Sequence, residues 1–482
     1  MRRMIAFSAP EYQPDGSIHP AAYTYAGSSA DGWEVRRGGR DHLRLGPGYR
    51  LLRVSHCGVC STDLARRHLP FPLPQVTGHE VVAYDDADRP VVIEINASHA
   101  ARGLPAAVSC AYCRSGLTTH CPERLVLGIH DLPGGFGPWL LAPQANVLRV
   151  PPGITPATAA MIEPFAAALH AVRALAPADG ARVAVLGPRR LGMLVIAAFA
   201  AWRARVGRRC EILAVARRPE MRALARALGA DDVLDAEGAC AMREVADVVV
   251  DTTGSPAGLA SALALARREV HVKSTTGQVT LGLAHLTELV VDELTLAPYG
   301  EALLGETALP SPPPRVAVVL GGNVPVGIVR DLASRGLRVV AGDDPAALAV
   351  ELARDPAVEL GAADLAVVTT LAAVDAAIRP RPGFERGLVR ARGTILVADI
   401  RQPRDLLLSA LLDRGLRLTT TRCGDFRAGI DLLADPALGL GERLGERMTT
   451  SVFPASRLAD AFAAATDPRS VKVLVRQEGA LL

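Results

Sequence analysis

The 482 residues carry 53 Lys and Arg against 50 Asp and Glu, a formal net charge of +3, which gives no electrostatic ground for a nucleic acid or anionic-membrane partner. Hydrophobic residues make up 49% of the chain, enough to fill several cores and to exclude a disordered polymer, and the length exceeds one ordinary domain. The basic residues are almost all arginine, Lys273 and Lys472 being the only lysines; beside abundant Ala, Gly and Pro this reads as coding bias. No apolar run reaches the roughly 18 residues a bilayer span needs. The start, Met1 to Phe7, lacks the apolar stretch of a signal peptide, so a cytoplasmic protein is expected. In that reducing setting the eight cysteines are expected to be ligands or core residues. Five of them fall between Cys57 and Cys121.

In chain order, residues 40–165 show short apolar runs broken by Gly and Pro, such as Tyr49–Val54, Pro90–Ile95 and Trp139–Pro143, the rhythm of a compact β-rich domain. From Ala181 strands alternate with helices, the signature of a parallel α/β sheet. Arg182–Gly187 reads as a buried strand ending in a glycine turn, followed by a helix over about Leu191–Arg205. Further strands are expected at Glu211–Ala216, Asp247–Asp251, Glu269–Lys273 and Leu294–Pro298. The run Pro310-Ser311-Pro312-Pro313-Pro314 is a stiff linker by composition.

After that linker the elements begin again. Arg315–Gly321 repeats Arg182–Gly187, and a helix near Val326–Ser334 leads to a strand at Leu337–Ala341. Asp364–Thr370 echoes Asp247–Thr253, Gly393–Ile400 echoes Glu269–Thr275, and Leu416–Thr421 echoes Leu294–Pro298. Five matched elements in one order predict an internal duplication of a Rossmann-type unit. The sequence thus predicts an α/β chain: a β-rich domain over residues 1–175 completed by 436–482, a first Rossmann domain over 176–309, and a second Rossmann-like domain over 314–435.

The densest chemistry lies in Cys57-Gly58-Val59-Cys60-Ser61-Thr62-Asp63 and Gly78-His79-Glu80, with Glu163-Pro164 and Leu169-His170 further on. Thiolate, imidazole and carboxylate are the donors zinc takes, and a catalytic zinc keeps one position open. Taken singly, each has an ordinary reading as a turn or core residue; taken in order, the set points to a metal centre. On these motifs, with Gly134-Gly135-Phe136 and the ending Phe453-Pro454, Ala461-Phe462 and Val471–Leu474, the chain resembles the zinc-dependent medium-chain dehydrogenase/reductases, particularly polyol- and threonine-dehydrogenase-like members. The resemblance covers about residues 40–300 and 416–482.

That resemblance implies a GroES-like catalytic domain, completed by the C-terminal segment, with a Rossmann domain. It makes Cys60, His79 and Glu163 the zinc ligands, with Glu80 beside the metal as an exchanging or outer carboxylate. Thr62 takes the proton-relay position and Asp63 orients the neighbouring groups. Ala65 stands where a relay histidine often sits, so the proton's path to solvent is open, with His56 and His68 near in sequence only. Cys110, Cys113 and Cys121 match the last three cysteines of the family's structural zinc lobe, and Ala107 takes the place of the first. Three thiolates could recruit another ligand or leave the lobe metal-free; a lobe without zinc is the expectation.

In the first glycine loop, Gly187-Pro188-Arg189-Arg190-Leu191-Gly192, glycine holds the first and third fingerprint positions and Arg189 the second, where glycine normally admits the pyrophosphate. Gly187, Arg189, Arg190, Leu191, Gly192 and Thr253 are the candidate cofactor contacts. Arg217 and Arg218 replace the acidic ribose ligand at the next strand end, which suits a 2′-phosphate and hence NADP over NAD. The second loop, Gly322 to Gly327, has Val324 at its middle, with Asp343 about 20 residues on as a ribose contact. The expectation is a zinc-dependent oxidoreductase moving hydride between NAD(P) and a secondary alcohol or ketone of a polar small molecule. The rivals are a zinc enzyme without net redox that retains its nicotinamide, and a degenerate dehydrogenase serving as a scaffold. The duplicate is expected to stand in for a partner subunit, making an internal pseudo-dimer.

Overall fold

A computed structural model describes residues 3–69, 71–273, 279–300, 314–321, 324–379, 387–398 and 405–478. The linker residues Pro310–Pro313 and the loop residues Gly322 and Asn323 lie outside the described residues. The chain groups into two compact units: residues 1–166 with 423–482, and residues 167–422.

The first unit opens with a feature the sequence reading did not single out. Arg3–Tyr12 (β1), Ile18–Ser28 (β2), Gly32–Arg37 (β3) and Arg40–Leu45 (β4) form an antiparallel meander. Its apolar side alternates with period two, Tyr23 and Tyr25 on one strand and Trp33 and Val35 on the next all being buried. The expected β-rich region follows with Tyr49–Gly58 (β5), Glu80–Tyr84 (β6), Pro90–Ile93 (β7), Asn96–Ala97 (β8), Leu125–Val126 (β9), Trp139–Pro143 (β10) and Val147–Arg149 (β11).

The second unit is built on Arg182–Leu186 (β12), Glu211–Val215 (β13), Asp232–Leu234 (β14), Ala246–Asp251 (β15), Ala266–Val272 (β16), Thr295–Pro298 (β17), Val316–Leu320 (β18), Arg338–Gly342 (β19), Ala363–Val368 (β20), Val389–Val397 (β21) and Arg417–Thr420 (β22). Among the described residues these make one eleven-stranded sheet in the order β14-β13-β12-β15-β16-β22-β17-β21-β20-β18-β19. The central strands are continuous apolar runs, Val183 to Val185 and Ala317 to Val318 being fully buried, as a parallel sheet covered on both faces requires. The expected helices form at Arg190–Val206 and Val326–Ser334. The first ends in Gly207 at φ 67°, the left-handed cap glycine supplies without strain.

Strands β12 to β16 and β18 to β21 follow the same order about the sheet, but the strands that end each series change places. β22 pairs in parallel with β16, from Glu269↔Arg417 to Val272↔Thr420. β17 pairs in parallel with β21, from Thr295↔Thr394 to Pro298↔Val397. The two meet antiparallel at Leu296↔Leu418. One apolar cluster accordingly runs from Ala184 and Leu213 through Leu296 and Leu418 to Val318 and Val340. The two expected Rossmann domains therefore fall in a single compact unit. No strand after β19 repeats the position of β14 among the described residues.

From residue 423 the chain returns to the first unit. Thr449–Pro454 (β23) and Lys472–Arg476 (β24) extend its sheet to β11-β7-β6-β5-β24-β23, with β10 also on β5. The C-terminal segment thus adds two strands to the sheet of the β-rich unit.

Candidate metal centre and cofactor loop

Cys60 ends the turn after β5 and N-caps the short helix Ser61–Leu64. Two residues of that helix serve the turn. The Asp63 carboxylate, 1% exposed, accepts the Cys60 N–H at 2.8 Å and the Gly78 N–H at 3.1 Å, so one side chain ties the cysteine turn to the histidine turn. Thr62 Oγ1 lies 3.7 Å from Cys60 Sγ. Gly78 has φ +95°, and a Cβ there would sit 2.7 Å from Cys57 Sγ and 2.9 Å from Phe136; only glycine lets the chain deliver His79 to this place.

His79 is 3% exposed, and its Nδ1 stands 3.6 Å from Asp63 Oδ1 without a hydrogen-bond partner. Burial alone would push its pKa down. The Asp63 carboxylate and the Cys60 sulfur beside it prevail and hold it well above the usual histidine range. A buried histidine with an unsatisfied nitrogen and a half-buried cysteine beside it are donors of the kind zinc takes. Cys60 and His79 therefore fit a zinc ion. Glu163, half-buried in the first turn of the helix Ile162–Leu175, is not brought within 4.8 Å of both.

Glu80, next in sequence to His79, is held in an ion pair. Its carboxylate lies over Gly58, where a Cβ would come within 2.0 Å of Oε2, and it is engaged by the Lys472 ammonium from β24. Both side chains are 1% exposed. The carboxylate is thus spent on an ion pair between β6 and the C-terminal strand. His56 bonds Ser55 at 2.7 Å and His68 bonds Arg67 at 3.0 Å. His170 Nε2 meets Glu293 Oε1 at 2.9 Å, and Glu293 also accepts from Arg392.

The cysteine lobe corrects the expectation of three donors. His99, Cys110, Cys113 and Cys121 place one ligand atom each within 4.8 Å of one another, the one such group among the described residues. His99 follows β8, Cys110 N-caps the helix Ala111–Arg114, Cys113 lies in it, and Cys121 ends a turn of 3₁₀ helix at Thr118–His120. Burial pushes the Cys113 thiol up. The N–H groups of Ala100 and His99 and the neighbouring Cys110 and Cys121 thiols outweigh that and hold it below the usual cysteine range. Sequence spacing missed His99 because it is not part of the cysteine run; its one signal was a histidine within a dozen residues of Cys110.

In the glycine loop, two of the three fingerprint roles are realised. Gly187 has φ +70°, and a Cβ on it would meet Thr253 Cγ2 at 2.5 Å. Gly192 faces Thr252 Oγ1, 2.6 Å from where a Cβ would stand. These are the tight turn and the close helix–strand approach. The middle position, where glycine would leave room for pyrophosphate, is Arg189 as N-cap of the helix Arg190–Val206. Leu191 and Arg190 are half-buried at its start. Thr253 donates to Asp251 Oδ1 at 2.7 Å, fixing the wall behind Gly187. Arg217 is exposed and Arg218 half-buried at the turn after β13, and Arg222 braces that turn by donating to the Arg217 carbonyl at 2.9 Å.

Residues 46–152 match the alcohol dehydrogenase GroES-like domain family. The chain is similar to L-galactonate-5-dehydrogenase of Escherichia coli K12, 34% identical over 148 residues, 30% of this chain and 43% of that protein; it thus spans less than half the length of that relative. Among solved structures, L-idonate 5-dehydrogenase of Escherichia coli K-12 superposes with TM-score 0.55 at 13% identity, covering 98% of this chain and 99% of the other. A structure described as a short chain alcohol dehydrogenase of Escherichia coli CFT073, complexed with NADH, gives TM-score 0.52 at 14% identity over 98% and 99% of the two chains. No helix among the described residues is long and apolar enough to cross a membrane. Residues 46–152 thus carry a GroES-like domain of the alcohol dehydrogenase kind, and the chain shares the fold of these dehydrogenase structures.

Proposed function

We propose that the chain is a zinc-dependent oxidoreductase that transfers a hydride between NAD(P) and a secondary alcohol or ketone of a polar small molecule of the polyol, sugar or cyclitol kind. The observation that carries this reading is the pair of half-buried Cys60 and buried His79 clamped by Asp63. Cys60, His79 and Glu163 would hold the metal, Glu163 by a shift of its helix end or side chain toward the pair. Zinc there would supply Lewis acidity toward the substrate oxygen, and the nicotinamide the hydride acceptor or donor. Asp63 keeps the cysteine and histidine turns in register. Thr62, two residues from Cys60, receives the proton leaving the substrate hydroxyl and passes it toward solvent. Gly187 and Gly192 shape the phosphate loop, Arg189 and Arg190 flank it, and Arg217 with Arg218 favour a 2′-phosphate. The dehydrogenase names of the relatives and the NADH in one structural neighbour support the reaction class.

The second half of the large sheet is a duplicate of the first that takes the place of a partner subunit, and no second cysteine–histidine metal set stands beside it among the described residues. The deciding experiment is Cys60→Ser. It should remove one zinc per chain and abolish NAD(P)-linked alcohol oxidation while the circular dichroism of the fold stays. Full metal content and turnover in that variant would defeat the reading.

A further inference from the structure

We propose that the cysteine lobe is a closed four-ligand metal site whose fourth donor is His99, replacing the thiolate that the family's spacing would place at Ala107. Four donor atoms, one imidazole nitrogen and three sulfurs, already lie within 4.8 Å of one another. Zinc–sulfur bonds of about 2.3 Å and zinc–nitrogen bonds of about 2.0–2.1 Å put neighbouring tetrahedral donors at about 3.5–3.8 Å. The cluster therefore needs only a small contraction to close round an ion.

The hydrogen bonds around His99 orient it for this task. Nδ1 lies 2.9 Å from the Cys110 N–H, a contact its single lone pair gives up when Nδ1 takes a metal. Nε2 then carries the proton and stands 3.3 Å from Glu123 Oε2. A ligating histidine whose other nitrogen donates to a carboxylate is the usual arrangement round zinc, fixing tautomer and ring angle together. The backbone holds the ring as well: Leu104 N–H donates to the His99 carbonyl at 3.0 Å, and the side chain is 3% exposed. Three thiolates and a neutral imidazole suit a borderline-soft divalent ion, and all four positions are protein, so the site is structural and has no place for substrate. Ala107 is exposed in the 3₁₀ turn Ala106–Val108; the donor arrives from β8 instead.

The test uses the full chain with Cys60→Ser, so that the lobe is read independently of the proposed catalytic metal. Purified without chelator, this variant should retain one zinc per chain. Cobalt exchanged into it should show the intense d–d bands of a tetrahedral site and a thiolate-to-cobalt charge-transfer band. Adding His99→Ala should lose the tetrahedral spectrum and most of the metal. Adding His99→Cys instead should keep the metal and raise the charge-transfer band by about one third, as four sulfurs replace three around a tetrahedral ion. The proposal fails if the Cys60→Ser chain holds no metal, or if its cobalt spectrum is the same with and without His99. Because none of these readouts is turnover, they stand or fall apart from the dehydrogenase reading.

Discussion

Asp63 makes its contribution through geometry. It accepts two backbone N–H groups from two separate turns, and an amide in its place would turn an NH₂ group toward one of them. Asp63→Asn is therefore expected to weaken zinc retention at the Cys60–His79 pair by about 10–100-fold, the usual loss when an outer partner of a ligand is removed. Competition with a chromophoric chelator measures it, and unchanged affinity would assign Asp63 to folding alone. Glu80 and Lys472 make a second case, an ion pair 1% exposed on both sides. Lys472→Met would leave a buried carboxylate without its counter-charge and should cost about 3–5 kcal/mol of stability. Lys472→Met with Glu80→Gln should recover most of that, as read by urea unfolding; a single variant as stable as the parent would show that the pair does not hold the C-terminal strand. The Cys60, His79 and Asp63 positions were legible because they sit in two short contiguous motifs. The Glu80–Lys472 pair was not, since 392 residues separate the partners. One clue went unused: in a chain whose basic residues are arginine, both lysines are buried and bonded, Lys472 to Glu80 and Lys273 to Thr421. Arg217 and Arg218 remain a readable signal at this scale. Replacing both with alanine should lower NADP affinity by about one to two decades and leave NAD affinity nearly unchanged, a charge-assisted pair being worth about 1.5–3 kcal/mol. Titrating the two nicotinamides in parallel checks it.

The strands Arg182–Leu186 and Glu211–Val215 and the helices Arg190–Val206 and Val326–Ser334 were legible almost to the residue because their apolar patterns are continuous, whereas Ala266–Val272 and Val389–Val397 begin before their expected starts at Glu269 and Gly393. Strand partners were not legible, since pairing is decided by neighbours far along the chain. The seam between β16 and β22 shows what sets it. His271 is fully buried, with Thr419 and Thr421 hydroxyls each 2.9 Å from its ring nitrogens, and Lys273 donates to the Thr421 carbonyl at 2.8 Å. These polar side chains match only in the observed register. Burial, and then the charges of Lys273 and His170 against a smaller opposing pull from Glu293, hold the His271 pKa well below its ordinary value. The sign follows directly. A histidine kept neutral in the fold binds its proton only on unfolding, so the unfolded chain gains protons first as pH falls below about 6.5. Stability should then decline between about pH 6.5 and 5, by up to about 1.4 kcal/mol per pH unit for this one group. Urea midpoints of the parent and of His271→Gln across that range test the assignment. The variant's decline should be shallower, and equal slopes would remove His271 from the account.

At the scale of the whole sheet, the exchange is of a helix together with its strand. The segment before β17 is held by residues of the second series: Asp375 accepts the Ala284 N–H at 3.0 Å, and Arg379 bonds Asp292 at 2.9 Å. The helix Leu406–Arg414 is held by the first series, Arg414 donating to the Leu263 carbonyl at 2.7 Å and also to the Ala266 carbonyl. Each series thus lends the other its closing element, as two subunits do in a domain swap, but within one chain. A repeated order of strands was readable from the sequence, and the exchange was not, because either pairing satisfies the same apolar pattern. The exchange has a mechanical consequence. If the connection between the series were only a tether, cutting it would let them part. With β22 seated between β16 and β17, and β17 between β22 and β21, separation requires two strands to leave the interior of a buried sheet. Cutting the chain at a specific protease site introduced at Pro312 should therefore leave the two fragments co-migrating in size-exclusion chromatography without denaturant. They should come apart only at the urea concentration that unfolds the sheet. Separation of the fragments under native conditions would show that the series are joined by the linker alone, and with that the closing strands' exchange would lose its structural role.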